Sequence, residues 1–145
     1  MVLKRERFEE IGRFDPAQKR RHDIDMWLRM IHNRRWCYDP IATLAYRHDT
    51  PGSISRAKEE ALYYMAKALI KNESLYENTI MHTWICNISF LGVLKANVFA
   101  PKFLKTFDYS PLNDKLSKSQ KAVAKISRLF PSFFKLAGKT RLLHS

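Results

Sequence analysis

Two carboxylates open the stretch His22-Asp23-Ile24-Asp25-Met26-Trp27-Leu28-Arg29-Met30. Met26 and Met30 are one helical turn apart, and Trp27 and Ile31 repeat that spacing beside them. Such spacing predicts a helix with a buried apolar face, Trp27 included, and with acidic side chains in its first turn. Negative charge is favoured there by the free N–H groups and by the helix dipole. A carboxylate fixed at that place can act as a general base toward an incoming hydroxyl. It can also do no more than cap the helix, and Asp25 can equally be a solvated or N-terminal helix charge.

The flanks add three more segments in order. Upstream stands Phe8-Glu9-Glu10-Ile11-Gly12-Arg13-Phe14-Asp15; downstream stand Tyr46-Arg47-His48 and then Gly52-Ser53-Ile54-Ser55. Together these resemble the C-terminal half of the catalytic domain of glycosyltransferase family 2, inverting enzymes of the GT-A fold. That family reads F-E-E-x-G-G-F-D, then E-D-x-D-x-W-L-R, then a short strand ending Y-R-x-H, then G-S-x-S. The resemblance covers residues 1–56 of this chain.

The resemblance implies the following roles. Asp23 is the catalytic base that takes the proton of an acceptor hydroxyl, which then displaces the nucleotide in a single step, whereas retaining hydrolysis uses a carboxylate pair. His22 stands where the family has Glu, a departure that bears on acceptor choice or on activity itself. Asp25 matches the second acidic position. Gly12, Phe14 and Asp15 match the loop lining the acceptor side, with Arg13 replacing a second Gly; a position needing positive φ would resist that change. Arg47 faces a phosphate or an acidic partner. His48 is a candidate ligand for a divalent ion, Mn or Mg, that bridges the nucleotide phosphates in the intact enzyme. Arg47 and His48 are adjacent here where the family shows one residue between them, so Asp49 competes for the role.

The nucleotide-sugar in that family is held by an N-terminal half carrying its own Asp-x-Asp. No Asp-x-Asp and no Gly-rich strand–loop–helix precedes residue 22. The expectation is therefore a part of an inverting, hexosyltransferase-like enzyme of polysaccharide or lipopolysaccharide biosynthesis. It would be inactive alone, would bind no metal alone, and would need a separate N-terminal half. Its partners would be a nucleotide-sugar and a glycan or lipid-linked acceptor.

The elements that must position these residues can be read from pattern. Residues 5–11 form a short helix stopped by Gly12 in a left-handed cap. Residues 13–21 form a loop, 22–33 the carboxylate-bearing helix and 41–46 a strand after Asp39-Pro40. Ser53 caps a helix over 54–71, and a second long helix runs over 74–96. Residues 78–94 lack Lys, Arg, Asp and Glu, which suits a buried or interfacial helix better than a membrane span. Beyond Pro101, Leu112, Leu116, Val123, Ile126 and Phe130 share one helical face, with Lys118, Lys121, Lys125 and Arg128 opposite. The fold class expected is α+β, mostly α: a partial GT-A remnant with one or two short strands and about five helices. Residues 1–56 would be the acceptor-side half, 57–100 a helical pair and 101–145 a basic amphipathic extension.

Charge sets the alternatives. The 145 residues carry a formal net charge of +12. Residues 95–145 hold eleven Lys and Arg against Asp108 and Asp114, an excess of nine, so the basic character is concentrated at the C-terminal end. An anionic partner follows. The extension can lie on an anionic membrane surface, placing the protein in the cytoplasm and peripheral at the inner face of the membrane, or its apolar face can pack on the preceding helices. The alternative to an enzyme part is a basic helical nucleic-acid- or membrane-binding module without catalysis. No helix-turn-helix, zinc or RNP pattern supports specific nucleic-acid recognition. A third reading is an interaction protein that docks through the helical pair. Cys37 and Cys86, the two cysteines, have no metal-binding spacing.

Overall fold

The structure is a computed structural model that describes residues 4–35, 41, 58–76 and 79–137. It is mostly α, with no strand among the described residues. The strand expected over 41–46, apart from Ile41, lies outside the described residues, as do the Ser53 cap, Arg47, His48 and Asp49. Eight α-helices follow in order within them: α1 (Arg5–Glu10), α2 (His22–Ile31), α3 (Lys58–Lys71), α4 (Thr79–Phe99), α5 (Phe103–Thr106), α6 (Ser110–Asp114), α7 (Lys118–Leu129) and α8 (Pro131–Ala137). A 3-10 turn, Glu73–Leu75, separates α3 from α4, so α4 begins later than the pattern of residues 74–96 suggests.

The apolar centre lies between α3, α4, α6 and α7. Tyr63, Tyr64, Val93, Tyr109, Leu112 and Leu116 are buried there, with Phe107 packed against them. Tyr63 stacks on Phe107 with ring centroids 4.8 Å apart and meets Tyr109 at 5.1 Å. Such aromatic pairs add about 0.5–1.5 kcal/mol each beyond the area they bury. Gly92 lets α6 come close to α4: a Cβ there would stand 3.3 Å from Leu112 Cδ2.

The segment after Pro101 is where pattern and packing part. The one amphipathic helix expected over 112–130 is two helices, because Ser117 builds an N-cap. Its Oγ accepts from the Gln120 N–H at 3.2 Å, and Gln120 Oε1 accepts from the Ser117 N–H at 3.0 Å. This reciprocal capping box starts a new helix wherever it falls. Leu112 and Leu116 are therefore on a different element from Val123, Ile126 and Phe130, and only the first two are buried. Together with Pro131, which opens α8, such breaks account for a helix number above the five expected.

α7 meets α4 through its small residues. Ala124 and Ser127 are its buried positions. The buried Asn97 of α4 donates from Nδ2 to the Ala124 carbonyl at 2.9 Å and to Ser127 Oγ at 3.0 Å. α8 then packs back on α4 and α7. At the other end, Met26 and Met30 of α2 are buried, and α2 packs on α3. Trp27 differs from the expectation of core packing: it is 40% exposed, one position along from Met26 and so turned to the helix flank.

Candidate functional site

The loop 11–21 carries Gly12, Phe14 and Asp15 of the residues singled out by the sequence, and α2 carries His22, Asp23 and Asp25. The loop turns sharply at its start. Gly12 has φ +79° and Arg13 has φ +59°, two consecutive left-handed residues. Gly12 takes the role its type suggests. Arg13 holds a conformation that costs a non-glycine residue about 1–2 kcal/mol, and two bonds hold it there. Its side chain pairs with Glu9, one helical turn back. Its carbonyl accepts from Arg29 Nη2 at 2.8 Å. Replacement of a glycine by Arg13 is thus accommodated by contacts on both sides.

The loop is then stitched down along α3. Gln18, buried, donates to the Tyr64 carbonyl at 2.7 Å, and Arg20 pairs with Glu60 at 2.7 Å. Asp15 accepts from the Ala17 N–H at 2.8 Å and from Lys71 Nζ at 2.7 Å. These two bonds, the Lys71 one foremost, hold the Asp15 carboxyl below its ordinary range.

Asp25 is the inward carboxylate. Its side chain is fully buried and receives three donors: Arg29 Nη2 at 2.7 Å, Asn72 Nδ2 at 2.9 Å and Lys71 Nζ at 3.1 Å. Burial, the largest single influence, acts to raise its pKa. The hydrogen bonds from Asn72, Lys71 and Arg29 together outweigh it, and the carboxyl ends below its ordinary value. A buried charge persists only when so compensated. The alternative of a solvated helix charge for Asp25 is therefore corrected: what surrounds it is protein. Lys71 bridges Asp15 and Asp25, while Arg29 reaches from Asp25 to the carbonyls of Ile11 and Arg13. One network thus fixes the loop, α2 and the C-terminal end of α3 together.

Asp23 sits two residues earlier, on another side of the helix, and is half-buried. Its Oδ1 accepts from the Ile24 N–H at 2.9 Å. Beside it, His22 is exposed and meets the Phe14 ring edge to face with centroids 5.1 Å apart. Phe14 in turn meets Phe8 at 5.3 Å. The structure therefore brings Phe14, His22 and Asp23 to one end of α2, held open to solvent by the clamped loop. It draws Asp15 and Asp25 into the clamp itself. Gly12 supplies the turn, and a Cβ at Gly12 would stand 3.9 Å from Arg29 Nη1.

The residues that make the clamp, Arg29, Lys71 and Asn72, are not among those the sequence singles out. Arg29 was legible as the i,i+4 partner of Asp25. Lys71 and Asn72 were not, because the last residue of α3 and the one after it lie more than forty positions away. No group of three or more His, Cys, Asp or Glu side chains able to hold a metal ion occurs among the described residues. Asp23 and Asp25 diverge, and Asp25 is already occupied by cationic and amide donors, so this pair does not form a divalent-ion site. No family model, curated protein or solved structure matches the chain.

Proposed function

We propose that residues 4–35 form the acceptor side of an inverting glycosyltransferase of GT-A type, with Asp23 as the base. It would act on a hydroxyl of a glycan or lipid-linked acceptor together with a separate nucleotide-sugar-binding half. The observation that carries this reading is the clamp. Asp15, Asp25, Arg29 and Lys71 hold the 11–15 turn against α2, so that Phe14 meets His22, the residue before the half-buried Asp23. A general base needs this kind of support, because a carboxylate on an unfixed loop cannot be kept within hydrogen-bond reach of a reacting hydroxyl. Asp23 keeps free acceptor capacity, since its carboxylate accepts from one backbone N–H among the described residues. The Phe14 and His22 rings, set edge to face, offer an aromatic surface at the same end of α2.

The experiment is sugar transfer by the chain alone and by the chain joined to a nucleotide-sugar-binding half carrying Asp-x-Asp. The chain alone should show no turnover. The joined enzyme should turn over, and Asp23→Asn should lower kcat by about 10²-fold or more, the typical contribution of a positioned base. Turnover by the 145 residues alone, or an unaffected Asp23→Asn enzyme, would refute the reading.

A further inference from the structure

α7 has three faces, and the structure uses one of them. The small residues Ala124 and Ser127 face α4. Lys118, Lys121, Lys125 and Arg128 form one outer flank, all exposed and with no ion pair among the described residues. Val123, Ile126, Leu129 and Phe130 form the other. Helix α8 continues that apolar flank. Leu129, Phe130, Phe133 and Leu136 are 62–71% exposed, and Ile126 is 48% exposed. A run of large apolar side chains left in solvent beside the buried core marks a surface made for a partner.

The chemistry of that partner follows from the neighbouring flank. Lys121, Lys125 and Arg128 border a groove of about 330 Å³ whose lining includes Asn97, Tyr109 and Asn113 and no carboxylate. A protein partner or a second copy would have to bring its own acids to this flank. The C-terminal third of a second copy has few to offer, since residues 95–145 contain Asp108 and Asp114 as their acidic positions, so a copy would have to meet this flank with acids of its residues 1–94. Duplex nucleic acid would satisfy the cations but would leave the apolar ridge wet. One surface satisfies both flanks at once: the interface of an anionic bilayer, where apolar side chains enter the acyl boundary and lysines meet phosphate.

We infer that α7 and α8 dock on an anionic phospholipid membrane, with Ile126, Leu129, Phe130, Phe133 and Leu136 inserted and with Lys121, Lys125 and Arg128 against the lipid phosphates. This docking face is independent of the α2 site and stands or falls without it. No helix among the described residues is long and apolar enough to cross a membrane, so the attachment is in the plane of the interface.

The test is co-sedimentation of the full chain with phosphatidylcholine vesicles, with and without phosphatidylglycerol. Binding should require the anionic lipid and should weaken as salt rises. The triple variant K121Q/K125Q/R128Q should bind on the order of 100-fold more weakly, from about 1 kcal/mol for each basic residue near the surface. Phe130→Ser and Phe133→Ser should each weaken binding about tenfold or more, and circular dichroism of these exposed-site variants should match the unaltered protein. Equal binding to vesicles lacking anionic lipid would overturn the proposal. So would ridge variants that bind undiminished, tighter salt-sensitive binding to random duplex DNA, or a ridge-dependent dimer that ignores vesicles.

Discussion

The two ends of this molecule handle charge and apolar surface in opposite ways. Around Asp25, charges are inside: a fully buried carboxylate is met by Arg29, Lys71 and Asn72. Along α7 and α8, cations stand exposed with no ion pair among the described residues, and large apolar side chains stand out beside them. The first arrangement serves the fold itself, since a desolvated charge with satisfied partners fixes the relative placement of the segments that supply them. The second contributes little to the fold and leaves interactions unspent. The polar residues around Asp25 are thus structural, and the exposed apolar residues of α7 and α8 are available to something else.

Removing a group from each end should expose the difference. Asp25→Ala leaves Arg29 and Lys71 facing each other without their shared anion and should cost about 3 kcal/mol or more, as breaking a buried pair does. The loss would appear as a lowered urea midpoint. Phe130→Ser removes a larger side chain, yet should change the midpoint by less than about 0.5 kcal/mol, the usual range for surface positions. Equal losses would mean that the ridge packs in solution and is not a free face.

Asn97 probes the boundary between the two regimes, because it is the buried polar residue that fastens α7. Asn97→Leu removes both bonds and leaves the Ser127 hydroxyl and the Ala124 carbonyl competing for fewer donors. A loss of about 1–3 kcal/mol is expected in urea denaturation. Amide exchange should then speed up in α7 before it does in α2, whose clamp the substitution does not touch.

Acid should loosen the N-terminal end first. Asp15 and Asp25 have folded pKa values below their ordinary 3.8. Their contribution is thus fully present well above 3.8 and is lost as pH falls through the lower folded values. Each such group steepens the acid decline by up to about 1.4 kcal/mol per pH unit. Urea midpoints followed downward from about pH 5 should decline less steeply in Asp25→Asn than in the unaltered protein. Unchanged slopes would place the Asp25 pKa at its unfolded value.

These contrasts also show what the sequence could and could not reveal. The boundaries of α1 and α2, the turn at Gly12 and the break near Asn72 were legible, because each rests on local chemistry: a cap, a glycine at positive φ, a run of helical spacing. The burial of Met26 and Met30 was legible from their one-turn spacing, but the exposure of Trp27 was not, since helical spacing admits either neighbour to the core. The apolar stripe of residues 112–130 was misleading for a deeper reason. Periodicity finds the face richest in apolar groups, whereas α4 took the face with small residues that admits a close approach and satisfies Asn97. Ser117 then cut the stripe in two. The clamp partners Lys71 and Asn72 required knowing that α3 ends against α2, which spacing along the chain does not contain.

The smallest expected effect is at the residue with the largest proposed role. Asp23 is half-buried, and the bond it accepts from the Ile24 N–H is one that an asparagine oxygen can also accept. Asp23→Asn should therefore shift the urea midpoint by less than about 0.5 kcal/mol, against about 3 kcal/mol at Asp25 two positions away. That separation gives the activity test its meaning. A loss of transfer in Asp23→Asn with stability unchanged points to a group that handles a proton, because the fold does not use it. A loss of stability as large as that at Asp25 would move Asp23 into the clamp and leave the open end of α2 without a base.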